Sequence, residues 1–188
     1  MNNDILNIYF PSNEFTGNND LVLFVNKCNF NCNKCRYIKE NIVSVINIKE
    51  KIILPEETIN EIIDFIKNNK NYIDNIIITG GEPFIIKNID ELIDKIVKSI
   101  SKDKKVIIYT NGYNTKFDLL KKYDNLYYVI DVKDTKNDLS NINNKVNKKL
   151  LLIYNLYKDN KKITFRISDK LKDKIKLNFK NTEYYKEV

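Results

Sequence analysis

The stretch Leu21-Val-Leu-Phe-Val25-Asn-Lys-Cys28-Asn-Phe-Asn-Cys32-Asn-Lys-Cys35 joins an apolar run to a loop that holds all three cysteines of the chain. The run from Leu21 to Val25 has the length and composition of a buried strand. Thiolates are soft ligands that suit iron–sulfur clusters and zinc. Cys28, Cys32 and Cys35, at C-x3-C-x2-C spacing, can converge on one metal centre. A cubic four-iron, four-sulfur cluster has four irons, so three cysteines leave one iron open to a molecule that reacts. Closed structural zinc asks for four protein ligands. The chain has no histidine to supply a fourth, and the same lack excludes a Ser-His-Asp triad.

Working outward, strands and helices alternate. Residues 1–20 are polar with a few apolar positions and read as an edge strand or an arm. Ile42 to Ile48 reads as a short strand or a covering segment. Pro55, Glu56 and Glu57 open a helix whose apolar face is Ile59, Ile62, Ile63 and Ile66. Asn75 to Thr79 is a buried strand, broken by Gly80-Gly81-Glu82-Pro83. Asn88 with Glu91 makes a capping pair for a helix with Leu92, Ile93, Ile96, Val97 and Ile100 on its apolar face. Val106 to Thr110 is a third strand, ended by Asn111-Gly112 and followed by a short helix near Phe117 to Tyr123. Leu126 to Val132 is a fourth strand. A polar stretch, Asp138 to Asn144, leads to a helix through Val146, Leu150, Ile153 and Tyr157. Ile163 to Ile167 is a fifth strand, and the tail holds a helix turn and a strand at Ile175 to Phe179.

Connections this long between strands argue for a parallel sheet with helices packed on it. Five or six such units make an α/β fold of the partial (β/α)6 type, an open parallel barrel and not a closed eight-unit one. The 188 residues read as one domain: an arm at 1–20, a core at 21–167 and a tail at 168–188. The apolar runs are far shorter than the roughly 20 residues of a membrane span. The first residues lack the basic and apolar segments of a secretory signal. Clustered cysteines in odd number fit a reducing compartment, so the expected location is cytoplasmic. The net charge of +7 is spread over short lysine runs. These read as a solvated face, with no aromatic-basic motif for nucleic acid.

In parallel α/β sheets, ligands bind beyond the carboxyl ends of the strands. The scarce residues of this Asn-, Ile- and Lys-rich chain fall there. Three of the four glycines lie in the Gly80-Gly81 and Asn111-Gly112 segments. Each motif also has a plain reading, as a turn or as a surface ion pair between Asp131 and Lys133. Their order along one sheet edge is what argues for a site.

That order is the cysteine motif, then Thr79-Gly-Gly-Glu-Pro83, then Thr110-Asn-Gly112, then Asp131-Val-Lys133. It resembles the radical S-adenosylmethionine (SAM) enzymes. The likeness is to the short activating enzymes of glycyl-radical enzymes and of anaerobic ribonucleotide reductase. Phe24 ahead of Cys28 and Thr164-Phe-Arg166 are also similar to that group. The resemblance implies that Cys28, Cys32 and Cys35 ligate a 4Fe–4S cluster whose fourth iron chelates SAM. It implies that Gly80, Gly81 and Glu82 meet the SAM amino group, that Lys133 meets its carboxylate, and that Thr110, Asn111 and Asp131 line its ribose and methionine. Lys34 stands where the family usually has an aromatic residue near adenine, with Phe30 and Tyr37 as nearby substitutes. Arg36 and Arg166 are the chain's two arginines. A planar fork kept where lysine is the default base suggests ligand contact for both, against an ordinary ion pair for Arg166.

The implied reaction is reductive cleavage of SAM to a 5′-deoxyadenosyl radical that abstracts a hydrogen atom, with no residue acting as acid or base. The expected partners are a glycyl-radical protein as substrate and an electron donor such as flavodoxin or ferredoxin. Radical modification of a small molecule or peptide, as by a 7-carboxy-7-deazaguanine synthase, is the alternative. A non-catalytic iron–sulfur or zinc protein is a more distant one.

Overall fold

Hydrogen bonding of the first apolar segment sets the architecture of the computed structural model. The structure describes residues 5–33, 35–132, 152–153, 155–157, 159–168 and 182–185. Strand β1 (Leu6–Ser12) pairs antiparallel with β2 (Asp20–Val25), Leu6 opposite Val25 and Tyr9 opposite Val22. The N-terminal segment is therefore an edge strand, anchored by Leu6 at 2 % exposure. After β2 the chain forms β3 (Lys27–Cys28), the four-residue helix α1 (Arg36–Lys39) and β4 (Ser44–Val45). Strands β3 and β4 pair in parallel. The segment expected as strand or cover is thus both, lying against the first cysteine.

Helix α2 (Glu56–Asn69) buries Ile59, Ile62, Ile63 and Ile66, the face its spacing indicates. It starts one residue later than the proline suggests, with Pro55 at the cap. Strand β5 (Asn75–Gly80) ends in a 3-10 turn at Pro83–Ile85. Helix α3 (Ile89–Ser99) buries Ile89, Leu92, Ile93 and Ile96. Asn88 occupies its cap position, yet its side chain makes no capping bond. Instead Asn88 accepts from the Leu54 amide at 3.0 Å and donates to the Leu54 carbonyl at 2.9 Å. Glu91 pairs with Lys95. The expected capping pair is replaced because a tertiary partner satisfies both ends of the Asn88 amide at once.

Strand β6 (Lys105–Thr110), helix α4 (Asp118–Lys122), β7 (Leu126–Val132), β8 (Ile163–Ser168) and β9 (Thr182–Tyr185) follow. Residues 152–153 and 155–157 are helical. Of that helix, Ile153 is buried and Tyr157 stacks on Phe117 at 4.1 Å. Val146, Leu150, the 138–144 stretch and the strand expected at 175–179 lie outside the described residues.

The main sheet runs β1-β2-β5-β6-β7-β8-β9. All pairs after β1–β2 are parallel. Among the described residues, six parallel strands form the partial barrel. Paired residues share a face, because side chains alternate along each strand. One row, Leu23, Ile78, Ile108, Tyr128 and Ile163, is fully buried. The opposite face carries Phe24, Tyr109, Asp131 and Arg166, and Tyr109 and Arg166 there are only partly covered.

Candidate active site

The carboxyl ends of β2, β5, β6 and β7 lie along one edge, as the register requires. The cysteine loop leaves β2 and is held by the turn that leaves β5. The Gly81 amide donates to the Val25 carbonyl at 2.7 Å and the Glu82 amide to the Lys27 carbonyl at 2.9 Å. Such close approach explains both glycines. Gly80 adopts φ +100°, and a Cβ on it would lie 2.5 Å from the Val25 oxygen. A Cβ on Gly81 would lie 2.0 Å from the Lys27 oxygen. The space that glycine opens here is filled by the chain's own backbone, one residue ahead of Cys28.

Glu82 is fully buried. Its Oε1 accepts from the Thr110 hydroxyl at 2.7 Å and the Phe84 amide at 3.0 Å, and its Oε2 accepts from the Asn111 amide at 2.7 Å. Burial pushes its carboxyl up to about 7, against the three hydrogen bonds, which favour the charged form. The carboxylate therefore clamps β5 to β6. Thr110, having donated to Glu82, accepts from the Gly112 amide at 3.1 Å. Asn111 accepts from the Tyr113 amide at 3.0 Å and donates through Nδ2 to Asn29 Oδ1 at 2.9 Å. Asn29 is 5 % exposed, and its own Nδ2 has no partner among the described residues. Nothing in the sequence alone singles out Asn29. It directly follows the first cysteine, but asparagine is too common in this chain for that to count as a signal.

Cys28 is buried, and Cys32 and Cys35 are partly exposed; none of the three is in a disulfide. The Phe30 amide donates to Cys28 Sγ at 3.4 Å, and the Cys35 amide donates to the Cys32 carbonyl at 3.0 Å. Burial pushes the Cys28 thiol up to about 12, with Glu82, Cys32 and Cys35 adding negative surroundings. Among the described residues, no three His, Cys, Asp or Glu side chains gather tightly enough for one metal ion. A cubane differs in holding each thiolate at a separate iron. Three soft, unoxidised thiols on one loop, an amide donor to sulfur and a buried donor without an acceptor fit such a cluster.

The other expected residues divide. Asp131 and Arg166 face each other across β7 and β8. Arg166 Nε donates to Asp131 Oδ1 at 2.6 Å and Nη2 to Oδ2 at 3.0 Å. The guanidinium lies 5.4 Å from the Tyr109 ring centre, and Phe15 packs on that ring at 5.2 Å. The Arg166 fork is thus engaged by a cross-strand carboxylate on the less covered face. Arg36 is not brought to the site: its side chain is 81 % exposed and pairs with Glu40 at 2.7 Å. Phe30 is core, at 1 % exposure and 5.9 Å from Tyr113. Tyr37 is partly exposed and packs edge-on to Phe24 at 4.9 Å. Of the two aromatics near the loop, Tyr37 is the accessible one. Lys34 and Lys133 lie outside the described residues.

The fold has relatives among solved structures. TYW1 with a lysine-pyruvate adduct bound superposes with TM-score 0.55 at 16 % identity, over 83 % of this chain and 58 % of that one. Streptococcus suis SuiB bound to precursor peptide SuiA gives 0.53 at 19 % identity, over 76 % and 30 %. QueE from Escherichia coli gives 0.50 at 12 % identity, over 88 % and 82 %. This chain therefore spans less than two thirds of the length of the first two. None of the curated proteins matches it in sequence. No helix among the described residues is long and apolar enough to cross a membrane. The model of the Radical SAM superfamily matches residues 22–177, from β2 to beyond β8. On that match the chain belongs to the radical SAM superfamily, enzymes that perform radical chemistry with a 4Fe–4S cluster and S-adenosylmethionine.

Proposed function

We propose that this enzyme abstracts a hydrogen atom from a polypeptide, leaving a glycyl radical on a partner protein. The observation that carries this reading is the open sheet. Among the described residues its strands run in linear order, with β1 and β9 at opposite edges and no pairing between them. A closed barrel has no such gap. A backbone loop can enter from the side and reach the strand ends. The arginine–aspartate pair and Tyr109 line the less covered face on the way.

Bound together, the cluster and SAM supply a carbon-centred radical, and the protein supplies orientation. Cys28, Cys32 and Cys35 would hold the cluster. The Gly80–Glu82 turn holds their loop in place and presents its remaining backbone to the SAM amino group. By the family resemblance, Lys133 would offer an ammonium to the SAM carboxylate. By the same resemblance, Thr110, Asn111 and Asp131 would border the ribose and methionine, and Lys34 with Tyr37 would stand on the adenine side. No acid or base is needed, which suits a chain without histidine. An acidic electron donor of the flavodoxin or ferredoxin class supplies the reducing electron.

The test is anaerobic reconstitution with iron and sulfide, then SAM and dithionite with a candidate glycyl-radical protein. The expected result is 5′-deoxyadenosine together with an organic radical signal on that protein. Turnover of a small molecule or peptide, with no radical on any protein, would replace this reading with the second one. That reading, radical modification of a peptide or small molecule, is favoured by the charged Arg166–Asp131 pair on the open face.

A further inference from the structure

The side-chain amides of Asn111, whose backbone N–H is bound to Glu82, and of Asn29 form a line into the cysteine loop, and each orientation along it is forced. The Asn111 Oδ1 accepts from a backbone amide, that of Tyr113. A backbone N–H only donates, so the atom facing it must be the oxygen and the other end of the Asn111 amide must be the donor. That donor meets Asn29 at 2.9 Å, so the Asn29 atom it meets must be Oδ1. The Asn29 NH2 group is then directed elsewhere. It is buried, and no described atom accepts from it. A buried donor left unmade costs about 1–3 kcal/mol, and such groups in folded proteins nearly always have a partner. The loop between Cys28 and Cys32 holds Asn29, and the group that binds there is rich in sulfur acceptors. One donor to sulfur is already present, the Phe30 amide on Cys28.

We propose that the Asn29 side-chain amide donates a hydrogen bond to a sulfur of the cluster held by Cys28, Cys32 and Cys35, with Asn111 as the positioning residue that fixes its direction. The inference rests on the cluster reading above and adds a residue to it. Hydrogen bonds to cluster sulfurs stabilise the reduced state, which carries more negative charge, and so raise the reduction potential. Asn29 thereby tunes how readily the cluster takes its electron.

The test reads the midpoint potential and iron content of the anaerobically reconstituted protein without SAM or substrate. Asn29→Asp keeps the acceptor that Asn111 uses and replaces the donor. Its added charge lowers the potential by itself, so Asn29→Ala is the deciding variant. The expected result is a more negative potential in Asn29→Ala, a still more negative one in Asn29→Asp, and a smaller shift of the same sign in Asn111→Ala. The last variant keeps the backbone bond to Glu82 and loses the positioning amide together with the bond it accepts from the Tyr113 amide. If Asn29→Asp folds with the wild-type melting temperature but holds less iron, the lost contact is likewise the one to the cluster. Full iron in both Asn29 variants, with the Asn29→Ala potential equal to wild type, overturns the proposal. A wild-type chain that takes up no four-iron cluster takes down the cluster reading itself, a distinguishable failure.

Discussion

Gly81 has less room than Gly80 or Gly17. A methyl group there would meet the Lys27 carbonyl, whereas one on Gly17 would meet nothing within 4 Å. Gly81→Ala is therefore expected to lose more than about 2 kcal/mol of stability and, by shifting the residue before Cys28, most of its iron uptake. Gly17→Ala, at φ +79°, is expected to cost only about 1 kcal/mol of backbone strain with full iron. Urea unfolding and iron analysis check both. Glu82 makes a prediction in pH. Its carboxyl is raised from 4.5 to about 7 on folding. Between those values the unfolded chain loses the proton while the folded one keeps it, so stability falls as pH rises from about 4.5 to 7 and levels off above. Glu82→Gln abolishes that slope. It also turns an amide donor towards a donor, at Asn111 or at Thr110 and Phe84, and lowers stability by about 1–3 kcal/mol. Melting temperatures across pH 4–8 read both effects. These residues were legible as a site from their rarity and order. The partners of Glu82 and Asn111 were not, because hydrogen bonds to residues about thirty and eighty positions away in sequence leave no local pattern.

At the scale of elements, β1 is a structural part of the sheet. Leu6, at 2 % exposure, is expected to cost about 2–4 kcal/mol when replaced by alanine, read as a lower urea midpoint. A loose arm would show no change. The β7–β8 register, with Asp131 opposite Arg166, predicts that Asp131→Ala and Arg166→Ala each lose about 1 kcal/mol, modest because the pair is partly exposed. The double variant should lose little more than the worse single variant. Additive losses would show that the two do not act as a unit. The helices were legible from their isoleucine spacing and the strands from their apolar runs, since burial writes a period into sequence. The Asn88–Glu91 cap was not realised. A capping motif reports only local chemistry, and Leu54, thirty-four residues away, took the side chain.

For the whole molecule, the family assignment makes one general prediction. A cluster with an open iron at a partly exposed loop is oxygen-labile. Reconstituted protein should lose its iron–sulfur absorbance and its SAM cleavage in air, and activity surviving prolonged exposure would contradict it. The alternation of elements and the four ordered motifs made the parallel sheet and the radical SAM likeness readable in the chain itself, because strand period, glycine and cysteine spacing are local properties. Only the tertiary structure decided what the motifs touch. It spent the Gly80–Gly81 space on the backbone ahead of Cys28, buried Glu82 as a clamp between two strands, and engaged Arg166 with Asp131. It also left Arg36 in solvent and brought Asn29 into the site. Each of these follows from which strands lie side by side and at what register, and that is set by packing across the whole sheet.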